Sequence, residues 1–179
     1  IAWNRDRPSK SLETYMDKIE EGRKGKPEWF TDGDIEAHAM LPYVGGVDTA
    51  GGTHCFILYE LLNHPELLPR LRIEVDAAYA NGSPDAGTLE GMKDLHGFIL
   101  ECMRLHPTGF ALNRNAAKDF EFGNYRIRKG DELLIFTTAT HMDERYFPEP
   151  DKFDIERYRE PRNEHRQRHV YTPFGRGPH

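Results

Sequence analysis

The stretch LPYVGGVDTAGGTH, residues 41–54, lies at the centre of a run that otherwise has helical spacing. Thr31, with Asp34 three residues on, supplies an N-terminal cap. Phe56, Leu58, Tyr59, Leu61 and Leu62 resume the apolar pattern up to Asn63-His64-Pro65. A helix over the whole span is roughly 30 residues, or ~45 Å at 1.5 Å per residue. Its centre nevertheless holds Pro42, Gly45-Gly46 and Gly51-Gly52, at about 1 kcal/mol for each glycine and about 3 kcal/mol for the proline in a helix interior. Two readings compete: two helices joined by a loop at Gly45-Gly46, or one helix opened at its middle. The second has a chemical use. Glycines let a large flat group approach the backbone, and a broken hydrogen-bond ladder frees carbonyls for a water or ligand. Asp48 beside Thr49 sets an acid next to an alcohol, a pair able to pass protons to whatever sits at the gap.

The remaining chain has the composition of a globular protein. Its 179 residues suffice for one domain with a real core, and 37% apolar residues together with 16 glycines approach the ordinary soluble range. The net charge of −6 argues against a nucleic-acid partner. No run approaches the ~18 apolar residues that a membrane span needs. Ile1 stands where a Met would begin a chain, and the last residues stop inside a glycine-rich loop, so both ends read as cut. Location, cytoplasmic or membrane-associated, is therefore left open. The two cysteines, Cys55 and Cys102, fall in helical patterns without a CxxC and read as small buried hydrophobes. Among nine histidines only His165 and His169 have a metal-like spacing, and Arg166 and Arg168 between them argue against zinc.

Along the chain, residues 11–21 suggest a helix with Leu12, Tyr15, Met16 and Ile19 on one face, followed by a surface loop over 22–27. After residue 63 a further helix carries Leu68, Leu71, Val75 and Tyr79, with Pro65 or Pro69 in its first turn and Asn81-Gly82 at its end. Residues 82–90 read as loop. In residues 92–106, Leu95, Phe98, Ile99, Cys102 and Leu105 cover one broad side, while Gly97 and Leu100 flank Glu101 and Arg104 on the other. A helix apolar around most of its circumference is buried, and its acid and base are buried with it. Beyond Phe110 the pattern becomes short alternations: Phe120 and Phe122, then Tyr125 and Ile127, flank a Gly123-Asn124 hairpin turn. A strand follows over 132–136, a short helix over 137–142, and an irregular but ordered coil over 143–173. The class is mainly α with a small β-sheet (α+β), in a single partial domain over 1–179.

A buried Glu101–Arg104 pair must be fully hydrogen-bonded, because an unpaired buried charge costs several kcal/mol. One carboxylate can accept from two guanidinium forks, and Arg157, in Phe153-Asp154-Ile155-Glu156-Arg157, is the natural second fork.

Taken together, these residues resemble the motifs of the cytochrome P450 family. Glu101-Cys102-Met103-Arg104 followed by Leu105-His106-Pro107 resembles its ExxR helix, and Gly45-Gly46-Val47-Asp48-Thr49 resembles its distal helix motif. Phe147-Pro148-Glu149-Pro150-Asp151-Lys152-Phe153 through Glu156-Arg157 resembles its Phe-x-x-Pro-x-x-Phe and Glu-Arg segment. Phe174-Gly175-Arg176-Gly177-Pro178-His179 resembles the start of its haem-binding loop. Four motifs in order, over nearly the whole chain after Thr31, imply a cytochrome P450 fold incomplete at both ends. The family's iron-ligating cysteine would fall two positions beyond His179, so the resemblance implies no metal ligand within the chain.

The resemblance also implies roles. Asp48 and Thr49 match the acid–alcohol pair that delivers protons during oxygen activation. Gly45 and Gly46 would face the haem plane. Glu101, Arg104 and Arg157 match the structural triad that supports haem incorporation. Arg114 and His179 fall where the family pairs haem propionates, Phe174 would pack near the thiolate, and Gly175 and Gly177 let the loop turn. Val44, Thr108, Phe110, Ala111 and Leu112 would line the substrate pocket. Ala50, where a second Thr is frequent, together with Gly51-Gly52 and Pro42, departs from the pattern. The implied activity is that of a haem-dependent monooxygenase with haem b, inserting one oxygen atom from O2 into an apolar small molecule. NAD(P)H would serve through an electron-donor protein, a ferredoxin or flavoprotein reductase. Arg159, Arg162, Arg166 and Arg168 are either a docking face for that donor or part of a solvated mixed-charge coil. The alternatives are a P450-fold isomerase or peroxygenase, against which Asp48-Thr49 argues, and a truncated haem-free remnant with only a structural or binding role.

Overall fold

A computed structural model describes residues 14–175. The chain divides between Asp48 and Thr49 into two compact units. In the first, helix α1 (Tyr15–Gly25) begins at Thr14, which forms a reciprocal cap with Asp17: the Thr14 N–H donates to Asp17 Oδ2 at 2.7 Å and the Asp17 N–H to Thr14 Oγ1 at 3.3 Å. That box places the start later than the apolar spacing suggested. The helix also continues through Gly22, where the expected loop began; a Cβ there would lie 3.2 Å from the Phe30 ring, so the glycine admits Phe30 against the helix. Leu12, expected on the α1 face, lies outside the described residues.

Helix α2 (Asp32–Asn63) begins behind a second box, in which the Thr31 N–H donates to Asp34 Oδ2 at 2.8 Å and Thr31 Oγ1 accepts from the Asp34 N–H at 3.3 Å. It runs unbroken through Pro42, Gly45-Gly46 and Gly51-Gly52. Neither the loop nor the opening expected from sequence forms, and none of these four glycines has a positive φ. The physical reason is cooperativity. Dividing the helix would create two ends, each with up to four unmatched backbone groups. Continuing it forfeits only the bond that Pro42 cannot donate and the propensity costs of the glycines.

The second unit holds the rest of α2, a 3-10 turn (Pro65–Leu67), α3 (Leu68–Tyr79) and α4 (Ala86–Gly91). It continues with α5 (Lys93–Leu105), four short strands, α6 (Thr138–His141) and a coil with 3-10 turns at Ile155–Tyr158 and Glu164–Arg166. Pro69 sits in the first turn of α3, and Gly82, at φ +107°, reverses the chain after it. Helix α4 occupies part of the expected loop because Asp85 Oδ1 accepts from the Thr88 N–H at 2.8 Å and so caps it. Strand β1 (Ala111–Asn115) pairs antiparallel with β4 (Glu132–Phe136), Ala111 opposite Phe136. Strands β2 (Phe120–Phe122) and β3 (Tyr125–Ile127) form the hairpin read from Gly123-Asn124. The protein is mainly α with small antiparallel sheets, as its patterning implied.

The core of this unit is Leu71, Phe98, Cys102 and Ile155, flanked by Ile57, Leu61, Leu95 and Phe153. It therefore joins α2, α3 and α5 to the coil. Two devices fix α5. Its first turn lacks a side-chain cap of its own, and Glu74 of α3 supplies one, accepting from the Asp94 and Leu95 N–H groups at 3.0 and 2.8 Å. Gly97 brings the coil close, since a Cβ there would stand 2.8 Å from the Ile155 carbonyl oxygen. Of the two cysteines only Cys102 is buried; Cys55 is exposed on α2, which corrects the expectation that both are core residues.

Candidate functional site

Glu101 and Arg104 are both fully buried on α5, one turn apart. Arg104 donates twice to the carboxylate, Nε to Oε2 at 2.8 Å and Nη2 to Oε1 at 2.9 Å. Arg157 comes from the coil, 1% exposed, and its Nε donates to Oε1 at 3.1 Å. The Asp154 N–H and the Tyr158 hydroxyl complete the shell at 3.0 and 2.7 Å. The guanidinium groups spend their other donors on the coil. Arg104 reaches the carbonyls of His141 (2.8 Å) and Pro150 (2.7 Å), and Arg157 those of Pro148 (2.6 Å) and Glu149 (2.7 Å) and the Glu164 carboxylate (2.9 Å). A buried ion pair is tolerable only when its remaining polar atoms are matched in this way. Burial and the Glu101 charge beside it push the Tyr158 hydroxyl upward, so it stays protonated and donates. The coil over 143–173 is thus held in place by side chains from α5, although it lacks periodic structure.

Next to this centre lies an apolar cavity of about 500 Å³. Its walls are Thr49, Ala50, Thr53 and His54 of α2, Met103 of α5, Pro107, Thr108 and Gly109 of the following turn, Leu112 of β1, and Pro173 and Phe174. Thr53 joins two of the walls: its Oγ1 donates to the Thr49 carbonyl at 2.9 Å and lies 2.8 Å from Thr108 Oγ1. His54 Nδ1 lies 2.6 Å from the Ala50 carbonyl, which can only accept, so this nitrogen carries the proton. Sequence reasoning passed over Thr53 and His54. The signal for Thr53 was its position four residues after Thr49, on the same helical face. Gly175 fits the loop against β1 twice over, with φ +75° and a virtual Cβ only 2.8 Å from Leu112 Cδ2.

The structure gathers some of the expected site residues and not others. Thr49, Thr108, Leu112 and Phe174 line the cavity, with Gly175 next to Phe174. Phe110 and Ala111 do not: Phe110 is 56% exposed and stacks on Phe136 at 6.1 Å, and Ala111 alternates to the other face of β1 from Leu112. Arg114 shares the face of Leu112 by the same alternation, and its Nη1 donates to the Asn113 carbonyl at 2.8 Å. Val44, Gly45, Gly46 and Asp48 belong to the first unit; Val44 and Asp48 are exposed. Gly177 and His179 lie outside the described residues. His141 and Glu164, both buried, were not expected at all, because they come from segments without periodicity. The arginines considered for docking are largely engaged nearby. Arg159 meets Asp94, Arg162 meets Asp154 (2.7 Å) and Glu164 (2.6 Å), and Arg166 lies 3.7 Å from Glu160.

The described residues contain no cluster of three or more metal-ligating side chains. Burial, with Glu60 and Glu101 adding to it, pushes the Cys102 thiol up to about 12, so it is a protonated core residue and not a thiolate ligand. The cavity suits an apolar group: its lining is almost entirely apolar, with Thr49, Thr53 and Thr108 among its lining residues.

One unit of the chain thus holds a helix-borne carboxylate shared between two buried arginines and an apolar cavity with Pro173 and Phe174 among its lining residues. The chain belongs to the cytochrome P450 family, whose family model matches residues 2–179. It is 34% identical over 149 residues to Cytochrome P450 3A17 of Cavia porcellus, covering 83% of this chain and 30% of that protein. It is 36% identical over 148 residues to Probable cytochrome P450 6d4 of Drosophila melanogaster, covering 80% and 28%. To Lithocholate 6-beta-hydroxylase of Mesocricetus auratus it is 32% identical over 168 residues, covering 93% and 33%. The chain thus spans about a third of the length of these curated relatives.

Proposed function

We propose that the protein is a haem-dependent monooxygenase that inserts one oxygen atom from O2 into an apolar small molecule. The observation that carries this reading is the 500 Å³ cavity, with Thr49, Pro173 and Phe174 in its wall, in the same unit as the buried Glu101 centre. Haem b, when bound, supplies the redox chemistry of dioxygen, with electrons drawn from NAD(P)H through an electron-donor protein. By the family pattern, a cysteine two positions past His179 would hold its iron. The chain's own residues do the rest. Leu112, Met103, Pro107 and Phe174 supply apolar walls that receive an apolar ligand. Thr49 holds a proton at its Oγ1 inside that cavity, and Asp48, next to it on the same continuous helix, resupplies it from the exposed side. Gly45 and Gly46 leave the α2 backbone free of side chains for close approach. Arg114 would offer its guanidinium to a carboxylate of the bound group, and the family pattern gives His179 and Gly177, beyond the described residues, the matching propionate and loop positions. Glu101, Arg104 and Arg157 position the coil that leads into that loop. A relative named for hydroxylating lithocholate supports an apolar substrate.

The test is Thr49→Ala in the full-length protein. Product formation falls by about two orders of magnitude, the low end of what a positioned proton donor contributes. Reductant consumption continues, and peroxide accumulates in place of product. Unchanged product per reductant would remove Thr49 from proton delivery.

A further inference from the structure

His141 ends α6, is completely buried, and has no part in the function proposed above. Its backbone carbonyl accepts from Arg104 Nη1 at 2.8 Å. Its ring Nε2 accepts from the Thr172 N–H at 3.1 Å. Thr172 opens the turn that delivers Phe174 to the cavity wall, and the Gly175 N–H closes that turn on the Thr172 carbonyl at 3.0 Å. We propose that His141 is a positioning residue that ties the Glu101–Arg104 centre to the 172–175 loop and thereby sets the Phe174 wall of the cavity.

Three features beside those two bonds support the assignment. An N–H donor aimed at Nε2 requires a lone pair there, so the proton sits on Nδ1 and the ring is neutral. Burial, reinforced by the Arg104 charge, pushes the imidazole down to about 4, which keeps it neutral at ordinary pH and the acceptor available. The ring is also clamped. It stacks on Tyr171 at 5.3 Å and 27°, and the Tyr171 hydroxyl donates to the Leu100 carbonyl of α5 at 2.9 Å. The neighbouring Thr140 Oγ1 donates to the Val170 carbonyl at 2.8 Å, giving α6 a second hold on the same approach to the loop. Two consecutive side chains of α6 thus grip the segment that leads into Phe174, and the Arg104 bond fixes α6 itself.

The inference rests on the proposed haem site for its purpose, though the strut can be tested without it. Hydrogen exchange is measured on the full-length protein with His141→Phe, which keeps a stacking ring and removes the acceptor, and with His141→Gln, which restores an acceptor oxygen. In His141→Phe the amides of residues 170–172, 174 and 175 exchange roughly tenfold faster, the scale set by losing one buried hydrogen bond, while those of 98–104 are unchanged. His141→Gln brings the exchange back towards that of the unsubstituted protein. Equal acceleration in both segments, no acceleration, or no recovery with Gln overturns the assignment. Should His141→Phe not fold, the imidazole nitrogen shifts of the unsubstituted protein decide. A proton on Nδ1 upholds the bond to Thr172, and a proton on Nε2 overturns it. Haem content of the unsubstituted protein is read alongside. Its absence would remove the proposed function and leave the exchange result standing, whereas normal haem with unchanged exchange in His141→Phe would remove only the strut.

Discussion

Glu101 accepts from two arginines, a tyrosine and a backbone N–H. Glu101→Gln converts one oxygen into a donor facing donors and removes the charge that offsets two buried guanidinium groups. The expected cost is about 3–5 kcal/mol, the range for breaking a buried ion pair from one side, with loss of haem incorporation in the full-length protein. An unchanged urea midpoint together with normal haem content would refute the central role given to this carboxylate. Tyr158→Phe is the milder counterpart. It removes one hydrogen bond to a charged acceptor, worth about 1.5–3 kcal/mol, and leaves Oε2 its bond to Arg104 Nε. The Glu101–Arg104–Arg157 grouping was legible in the chain because α5 is apolar nearly all round, and burial forces its acid and base to be matched. Tyr158, Glu164 and His141 were not legible. They approach from a coil and a one-turn helix, where no period says which side chain points inward.

At the scale of elements, local propensity misjudged α2, where glycines and a proline weigh on single positions and helix ends weigh on whole turns. It judged the hairpin and β4 well, since Gly123 at φ +57° and Gly130 at φ +93° are the turns their sequences demand. Helix α5 depends on a glycine for a different reason. Gly97→Ala would push a methyl group to 2.8 Å from the Ile155 carbonyl oxygen, a backbone atom that cannot rotate away. The substitution is expected to destabilise by about 1–3 kcal/mol, as overpacking does, despite alanine's better helix propensity. A gain in melting temperature would show that α5 and the coil are not so closely packed. The end of α6 carries a pH dependence. His141 is held at about 4 in the folded chain against 6.5 when unperturbed, so between those values the unfolded chain binds a proton that the folded chain does not. Stability is complete above about 6.5 and falls as the pH drops towards 4, by an amount on the order of 3 kcal/mol. Unfolding free energies measured from pH 7 to 4 should show that slope, and His141→Gln should lessen it, leaving the part that His165, also lowered by burial, contributes.

For the molecule as a whole, the apolar surface matters more than the charge. Helix α2 exposes Met40, Leu41, Tyr43, Val44 and Val47 in its first half and Leu58, Tyr59 and Leu62 in its second, with Leu62 at 83%. Sequence patterning could not warn of this, because an apolar residue reads the same whether or not a neighbour covers it. The small core of the second unit uses Ile57 and Leu61 from the same helix and leaves Leu58 and Leu62, one position on, facing outward. Within each half, residues on adjacent turns therefore form an exposed apolar strip, of the kind that monomers rarely leave in water. The formal charge of −6 is too modest to keep such strips apart at physiological salt. This 179-residue chain should accordingly self-associate at micromolar concentration and bind an environment-sensitive apolar dye. Leu58→Lys with Leu62→Lys should shift its sedimentation towards the 20.7 kDa monomer without loss of helical signal. A chain that is already monomeric and dark to the dye would mean that α2 finds cover within its own fold.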